Sequence, residues 1–231
     1  MSKPVLLVHG AWAGAWAWGY VQAELDALGV SHTAIDLPSR DSAPSTMADD
    51  AAAIRAALDQ IGQPAVVVGH SYSGVPVTQA TAGNPNAAHL VYTCAAVAEI
   101  GQSTLDLMGT DPVPSALGEA IRATDDGLST LDPDGATATL FNDVSAEQSA
   151  PIVAALGTHR LSVFGEGPDA LGYTTVPSTY VLTTMDLVFS PELQRSMAAR
   201  AGANVVEVEA GHIPQLSRAR ELAAAIAGAA K

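Results

Sequence analysis

The sequence predicts an α/β chain: a doubly wound, mostly parallel sheet with a helical lid inserted between two strands. Three observations carry that expectation. Short apolar runs recur along the chain, helical patterns alternate with them, and the alternation fails once, between about residues 99 and 176. Strand–helix alternation is the pattern of parallel sheets covered on both faces.

The runs are residues 4–9, 30–35, 65–69, 89–95, 179–184 and 205–208. They are rich in Val, Leu and Ile with little polar alternation, as expected of strands buried on both sides. Helical spacing fills 15–28, which stops at Gly29. A second helix is expected over 46–61, opened by Thr46 and Asp49 at capping-box spacing and closed by Gly62. A third spans 190–201, with Ser190 as N-cap, Pro191 at the first helical position and Gly202 beyond the end. A last helix is expected over about 214–229. Within 99–176 helical signals occur, among them Ser145 with Gln148 as a further capping box, but no clear strand.

At 231 residues the chain is long enough for one domain with a sizeable core, and 48% hydrophobic with 15% charged residues is a globular composition. A net charge of −14 repels phosphate backbones and anionic membrane surfaces, so no nucleic-acid or membrane partner is expected. The segment 99–176 holds twelve acids against two bases, Arg122 and Arg160, which leaves it at −10. Cys94 stands alone, so no intramolecular disulfide can form, and a reducing, cytoplasmic location is expected. The apolar stretch after Lys3 breaks at His9-Gly10, short of a signal peptide's apolar region, and is read as the first strand.

The residues after the third run carry chemistry. Gly69-His70-Ser71-Tyr72-Ser73-Gly74 follows a buried strand directly, and a sharp turn from strand into helix leaves its central serine strained and exposed. The positions two before and two after that serine must be small. With Ser71 central they are Gly69 and Ser73, whereas centring on Ser73 would place bulky Val75 there. Ser71 is therefore the candidate nucleophile.

A serine hydroxyl needs a base, and the base needs a carboxylate to orient it. His212 follows the last strand and Asp186 the strand before it. Both, like Ser71, fall just past carboxyl ends of strands, where open α/β sheets place their sites. Asp36 and Glu99, also past strands, are rivals for the acid. Of the other histidines, His9 is expected to bond within its loop, His70 to be a neighbour of the turn only, His32 and His89 to sit by strands, and His159 to lie in the lid. Negative charge developing on a carbonyl oxygen needs aimed donors. The expected ones are the backbone N–H groups of Tyr72 and of Ala11, the latter in a loop that Gly10 lets bend close. Trp12 is expected to line the pocket, and Trp16 and Trp18 to pack in the core.

These segments resemble a known family. His9-Gly10-Ala11-Trp12-Ala13-Gly14-Ala15-Trp16, the Gly-His-Ser71 turn, Asp186-Leu-Val-Phe-Ser-Pro-Glu-Leu-Gln194, and Gly211-His212 with Gln215-Leu-Ser217 are similar to the methylesterase and hydroxynitrile lyase branch of the α/β-hydrolase superfamily. The likeness covers roughly 1–97 and 178–231, with the lid matching only loosely. It implies the α/β-hydrolase fold and places the acid at Asp186. Lyase members carry Thr, Cys and Lys where this chain has Gly10, Tyr72 and Ile213, so the resemblance points away from cyanohydrin cleavage.

The expected activity is hydrolysis of a carboxylic ester or lactone of a small uncharged substrate through an acyl-enzyme. No metal and no organic cofactor are expected, and the chain is expected to be a monomer or homodimer. Two alternatives stand beside this: a cofactor-free lyase or cyclase using His212 as base, and a small-molecule binding protein with a relic triad.

Overall fold

A computed structural model describes residues 2–40 and 44–231. Its main sheet is parallel throughout and, among the described residues, has six strands in the order β2-β1-β3-β4-β8-β9. These are β1 (Val5–Val8), β2 (His32–Ile35), β3 (Ala65–His70), β4 (Ala87–Thr93), β8 (Ser178–Thr183) and β9 (Asn204–Val208). All six expected runs thus form strands of one sheet. β1, β3 and β8 are buried along their whole length, which suits the Val/Leu runs of β1 and β3, while β8 also buries Ser178, Thr179 and Thr183.

Alternate side chains feed two cores. Leu6, Val8, Val67 and Leu90 point to one face, which is covered by α2 (Met47–Ile61), α3 (Gly74–Thr81) and α8 (Pro191–Arg200). Val5, Leu7, Val66, Val68 and Val91 point to the other, covered by α1 (Gly19–Ala27) and α10 (Ala219–Ala229). The helix ends follow the local chemistry. Thr46 and Asp49 make a full capping box at the start of α2, and Gly62 ends it with φ of +65°. Ser190 caps α8 by accepting the Leu193 N–H, with Pro191 at its first position.

Two expected helices differ in detail. The first turn of 15–28 is a 3-10 helix (Ala15–Trp18) before α1 begins. The last helix is broken at Arg218, whose non-helical backbone separates α9 (Pro214–Ser217) from α10.

The chain between β4 and β8 forms α4 (Thr104–Gly109), α5 (Leu117–Ala120), α6 (Pro133–Leu140) and α7 (Ala146–Ala155). Contrary to the sequence reading it also contains strands: β5 (Ile121–Ala123), β6 (Leu128–Leu131) and β7 (His159–Arg160) form a small antiparallel sheet. They are two to four residues long, too short to show a period, and β5 and β6 are joined by a turn at Gly127 with φ of +79°. Ser145 does cap α7 by accepting the Gln148 N–H, although the Gln148 side chain takes the Ser145 hydroxyl instead of its backbone N–H. No helix among the described residues is long and apolar enough to cross a membrane.

Candidate active site

The carboxyl edge of the main sheet concentrates backbone strain. Trp12, Ser71 and Cys94 have φ of +59°, +54° and +34°, and each lies just past the end of β1, β3 or β4. Non-glycine residues at positive φ cost about 1–3 kcal/mol each and persist where their surroundings hold them.

The turn after β3 shows how. The Ser71 carbonyl accepts the Ala96 N–H at 2.9 Å. The Ser73 hydroxyl is fully buried, takes the His70 N–H at 2.9 Å and donates to the Val8 and His70 carbonyls. A serine therefore serves where small size alone seemed to be needed, because its hydroxyl ties the turn to β1. The tight approach falls one residue later. A Cβ on Gly74 would collide with the Ala96 carbonyl and lie 2.9 Å from its nitrogen.

Ser71, His212 and Asp186 form one hydrogen-bonded chain. The Ser71 hydroxyl lies 2.8 Å from His212 Nε2, and His212 Nδ1 lies 2.8 Å from Asp186 Oδ2. A carboxylate only accepts, so the imidazole carries its proton on Nδ1 and turns the Nε2 lone pair to the serine. Asp186 and His212 are 4% and 1% exposed. The Asp186 carboxylate is held on both oxygens: Oδ1 accepts the Val188 and Phe189 N–H groups, and Oδ2 accepts Thr183 Oγ1 and Gln194 Nε2 as well as the imidazole. The rival acids lie elsewhere. Asp36 accepts the Ala15 N–H, and Glu99 pairs with Arg200 at the surface.

Gly10 brings the loop after β1 against this turn. A Cβ there would stand 2.7 Å from His70 Nδ1 and 3.0 Å from the Ser71 Cβ. Ala11 and Trp12 in consequence line a cavity together with Ser71 and Tyr72. That cavity has a volume of about 270 Å³ and apolar walls, with Met108, Leu117, Phe164 and Phe189 among them. A second, cramped cleft of about 30 Å³ also borders Ser71, lined by His70, His212, Leu156 and Ile213. Trp12 lines both. Trp18 is fully buried in the core, whereas Trp16 is only half-buried.

Several contributing residues were not singled out from sequence. His70 is more than a neighbour of the turn: its Nε2 donates to the His212 carbonyl at 2.8 Å. Burial and the adjacent His212 push its pKa down to about 3, so it stays neutral. The Cys94 Sγ reaches the same carbonyl at 3.4 Å, and burial, then the Asp186 charge, push its thiol up, which removes it as a nucleophile. Gln194 is fully buried and bonds Thr183, Asp186 and the Phe189 carbonyl; it falls inside the segment Asp186–Gln194 that carried the resemblance, and that was its signal. The segment 99–176 touches the site loops directly. Asn142 Nδ2 donates to the Met185 carbonyl, Asp111 accepts the Ser190 N–H, Ser115 Oγ donates to the Leu187 carbonyl, and the Gly157 N–H donates to the Trp12 carbonyl.

A parallel sheet that presents Ser, Asp and His in this chain order past its third, fifth and sixth strands along the chain defines an α/β hydrolase. The family model described as "Alpha/beta hydrolase family" matches residues 5–225, and the chain belongs to that family. It is 31% identical to a "Probable hydrolase R7" from a Phoma species over 98% of both chains. In structure it resembles a pyrethroid hydrolase from Sphingobium faniae JZ-2, with a TM-score of 0.87 and 22% identity over 100% of this chain and 98% of the other. A methylesterase from Arabidopsis superposes with a TM-score of 0.75 at 20% identity over 98% of both chains.

Proposed function

We propose that the protein hydrolyses a carboxylic ester or lactone of a small, uncharged substrate through an acyl-enzyme. The observation that carries this reading is the unbroken chain from strained Ser71 through His212 to buried Asp186. Ser71 Oγ attacks the carbonyl carbon while His212 Nε2 takes its proton. The backbone N–H groups of Tyr72 and Ala11 hold the oxyanion. The C–O bond then breaks, and His212 returns the proton to the leaving oxygen. Water repeats the steps, releases the acid and restores the serine. Asp186 orients the imidazole and stabilises its charged form. Every proton and bond in this sequence is carried by these residues, substrate and water.

The two spaces beside Ser71 support a division of the substrate between them. The leaving oxygen must meet His212, so the alcohol side is the cleft of about 30 Å³ and the acyl side the apolar cavity of about 270 Å³. A bulky apolar acyl group on a short alcohol fits both. The segment 99–176 acts as a lid in this reading. It supplies Leu105, Met108, Leu117, Leu161 and Phe164 to the acyl cavity, and its surplus of acids disfavours polyanionic substrates.

The test is mass spectrometry of the intact protein after treatment with a fluorophosphonate. A single adduct on Ser71, lost in Ser71→Ala and slowed in His212→Ala and Asp186→Asn, is expected. A folded protein that takes no adduct overturns the acyl-enzyme reading.

A further inference from the structure

Beneath the acyl cavity lies a charged group that the hydrolytic steps do not use. Asp50, in the first turns of α2, is fully buried. Its Oδ1 accepts the Ser39 N–H at 2.9 Å, and its Oδ2 accepts the Tyr72 hydroxyl at 2.8 Å. Burial raises its pKa, so its surroundings work against the ionised form. A buried carboxylate is weak evidence for stability, since apolar replacements of such groups are often neutral or better, so its use is sought in what it positions.

Its partner is the residue after the nucleophile. The peptide unit joining Ser71 to Tyr72 holds the N–H that faces the oxyanion in the proposed reaction, and Ser71 itself sits at φ of +54°. One end of that unit is tied down, because the Ser71 carbonyl accepts the Ala96 N–H. At the other end, the Tyr72 ring packs edge-on against His159 and Phe164, with ring centroids 5.0 and 5.5 Å away, and its hydroxyl ends on Asp50. Ring packing is only weakly directional, whereas the hydrogen bond to Asp50 fixes where the ring's hydroxyl ends.

We infer that Asp50 is a positioning residue for the oxyanion donor, acting through the Tyr72 side chain. This rests on the acyl-enzyme reading and adds a residue to it. The Asp50–Tyr72 bond holds the Tyr72 N–H at the position the developing oxyanion takes, while leaving ground-state binding of the acyl group untouched.

The experiment uses the full chain with Tyr72→Phe, which removes one oxygen, Asp50→Asn, which is isosteric, and the double variant. Two readouts are taken: the rate constant of fluorophosphonate labelling at saturating probe, and the affinity for an alkyl trifluoromethyl ketone, which forms a tetrahedral oxyanion adduct on serine. Each single variant is expected to lower both by about ten- to thirtyfold, less than the loss of a whole oxyanion donor. Half-saturation by the fluorophosphonate stays at the wild-type value, and the double variant is no worse than the worse single one. Wild-type labelling rates in both single variants overturn the inference and leave the acyl-enzyme reading standing. So does slower labelling with unchanged ketone affinity, or losses that multiply in the double variant. A wild-type protein that is not labelled at all overturns the acyl-enzyme reading and this inference with it. Thermal melting of each variant, read alongside, confines the rates to folded protein.

Discussion

The carboxyl edge of the main sheet and the segment between β4 and β8 build the site by different means. At the sheet edge each of these groups follows a strand by a few residues, the buried β3 and β8 for Ser71 and Asp186 and the largely exposed β9 for His212, and backbone bonds hold the loops. In the segment 99–176 helices are short, strands are two to four residues long, and much of the surface is open to water. That segment is secured to the site by a few side-chain contacts, such as Asn142 to Met185. The difference teaches a division of labour for the proposed reaction: in it the sheet edge fixes the reacting atoms, and the segment shapes what reaches them.

Substitutions at the edge should therefore be far more costly than those in the segment. The largest effect is expected from Ser71→Ala, a loss of about 10⁴-fold or more in kcat/KM at unchanged melting temperature. Asp186→Asn should cost about 10⁴-fold, since an amide N–H facing His212 Nδ1 favours the wrong tautomer. Steady-state kinetics on an ester hydrolysed by the wild type reads both. If Asn142→Ala were equally damaging, the division would fail.

Acid should act on the edge next. The native protein refuses a proton on His70 until about pH 3, whereas an ordinary histidine takes it near 6.5. Between those values the unfolded chain binds more protons than the native one. Stability contributed by neutral His70 is thus full above pH 6.5 and is lost as pH falls to about 3, on the order of a few kcal/mol. His70→Gln keeps a donor for the His212 carbonyl and removes the titration, so urea midpoints measured across that window should change less with pH. An unaltered slope would show that the acid sensitivity lies elsewhere.

Glycines sharpen the contrast. Gly74→Ala drives a methyl group into the Ala96 backbone and should cost about 1–3 kcal/mol or more by urea unfolding. Gly118, in α5, has open space at its Cβ position, and Gly118→Ala should stabilise by roughly 0.5–1 kcal/mol. The smallest effect is that of Asn142→Ala, which frees one clamp on the Asp186 loop and should lower kcat/KM by about fivefold, the worth of one modest hydrogen bond.

The same division governs what the sequence makes legible. The edge was readable because its signals are local and physical: apolar runs at β1 and β3, a glycine-flanked serine directly after β3, and Asp186 and His212 in order past later strands. The β5–β6 hairpin was not read. Asp126-Gly127 is a turn signal, but the flanking strands are too short for alternation to support it. His70, Gln194 and Asp50 were missed for another reason: each works through a partner distant in the chain or in another element, and no local pattern encodes that pairing. From sequence Ser73 reads only as a small residue; the bond of its hydroxyl to the Val8 carbonyl of β1 lies outside any local pattern.

The pairing of β4 with β8 joins Thr93 to Val181 across the whole intervening segment. Closing so long a loop is slow, because its entropy is lost before the contacts form. Asp186 and His212 both lie beyond that closure, while β1, β3 and α2 can assemble without it. During refolding from denaturant, helical signal should therefore return before labelling competence at Ser71, and the reacting centre becomes a clock for the last event in folding.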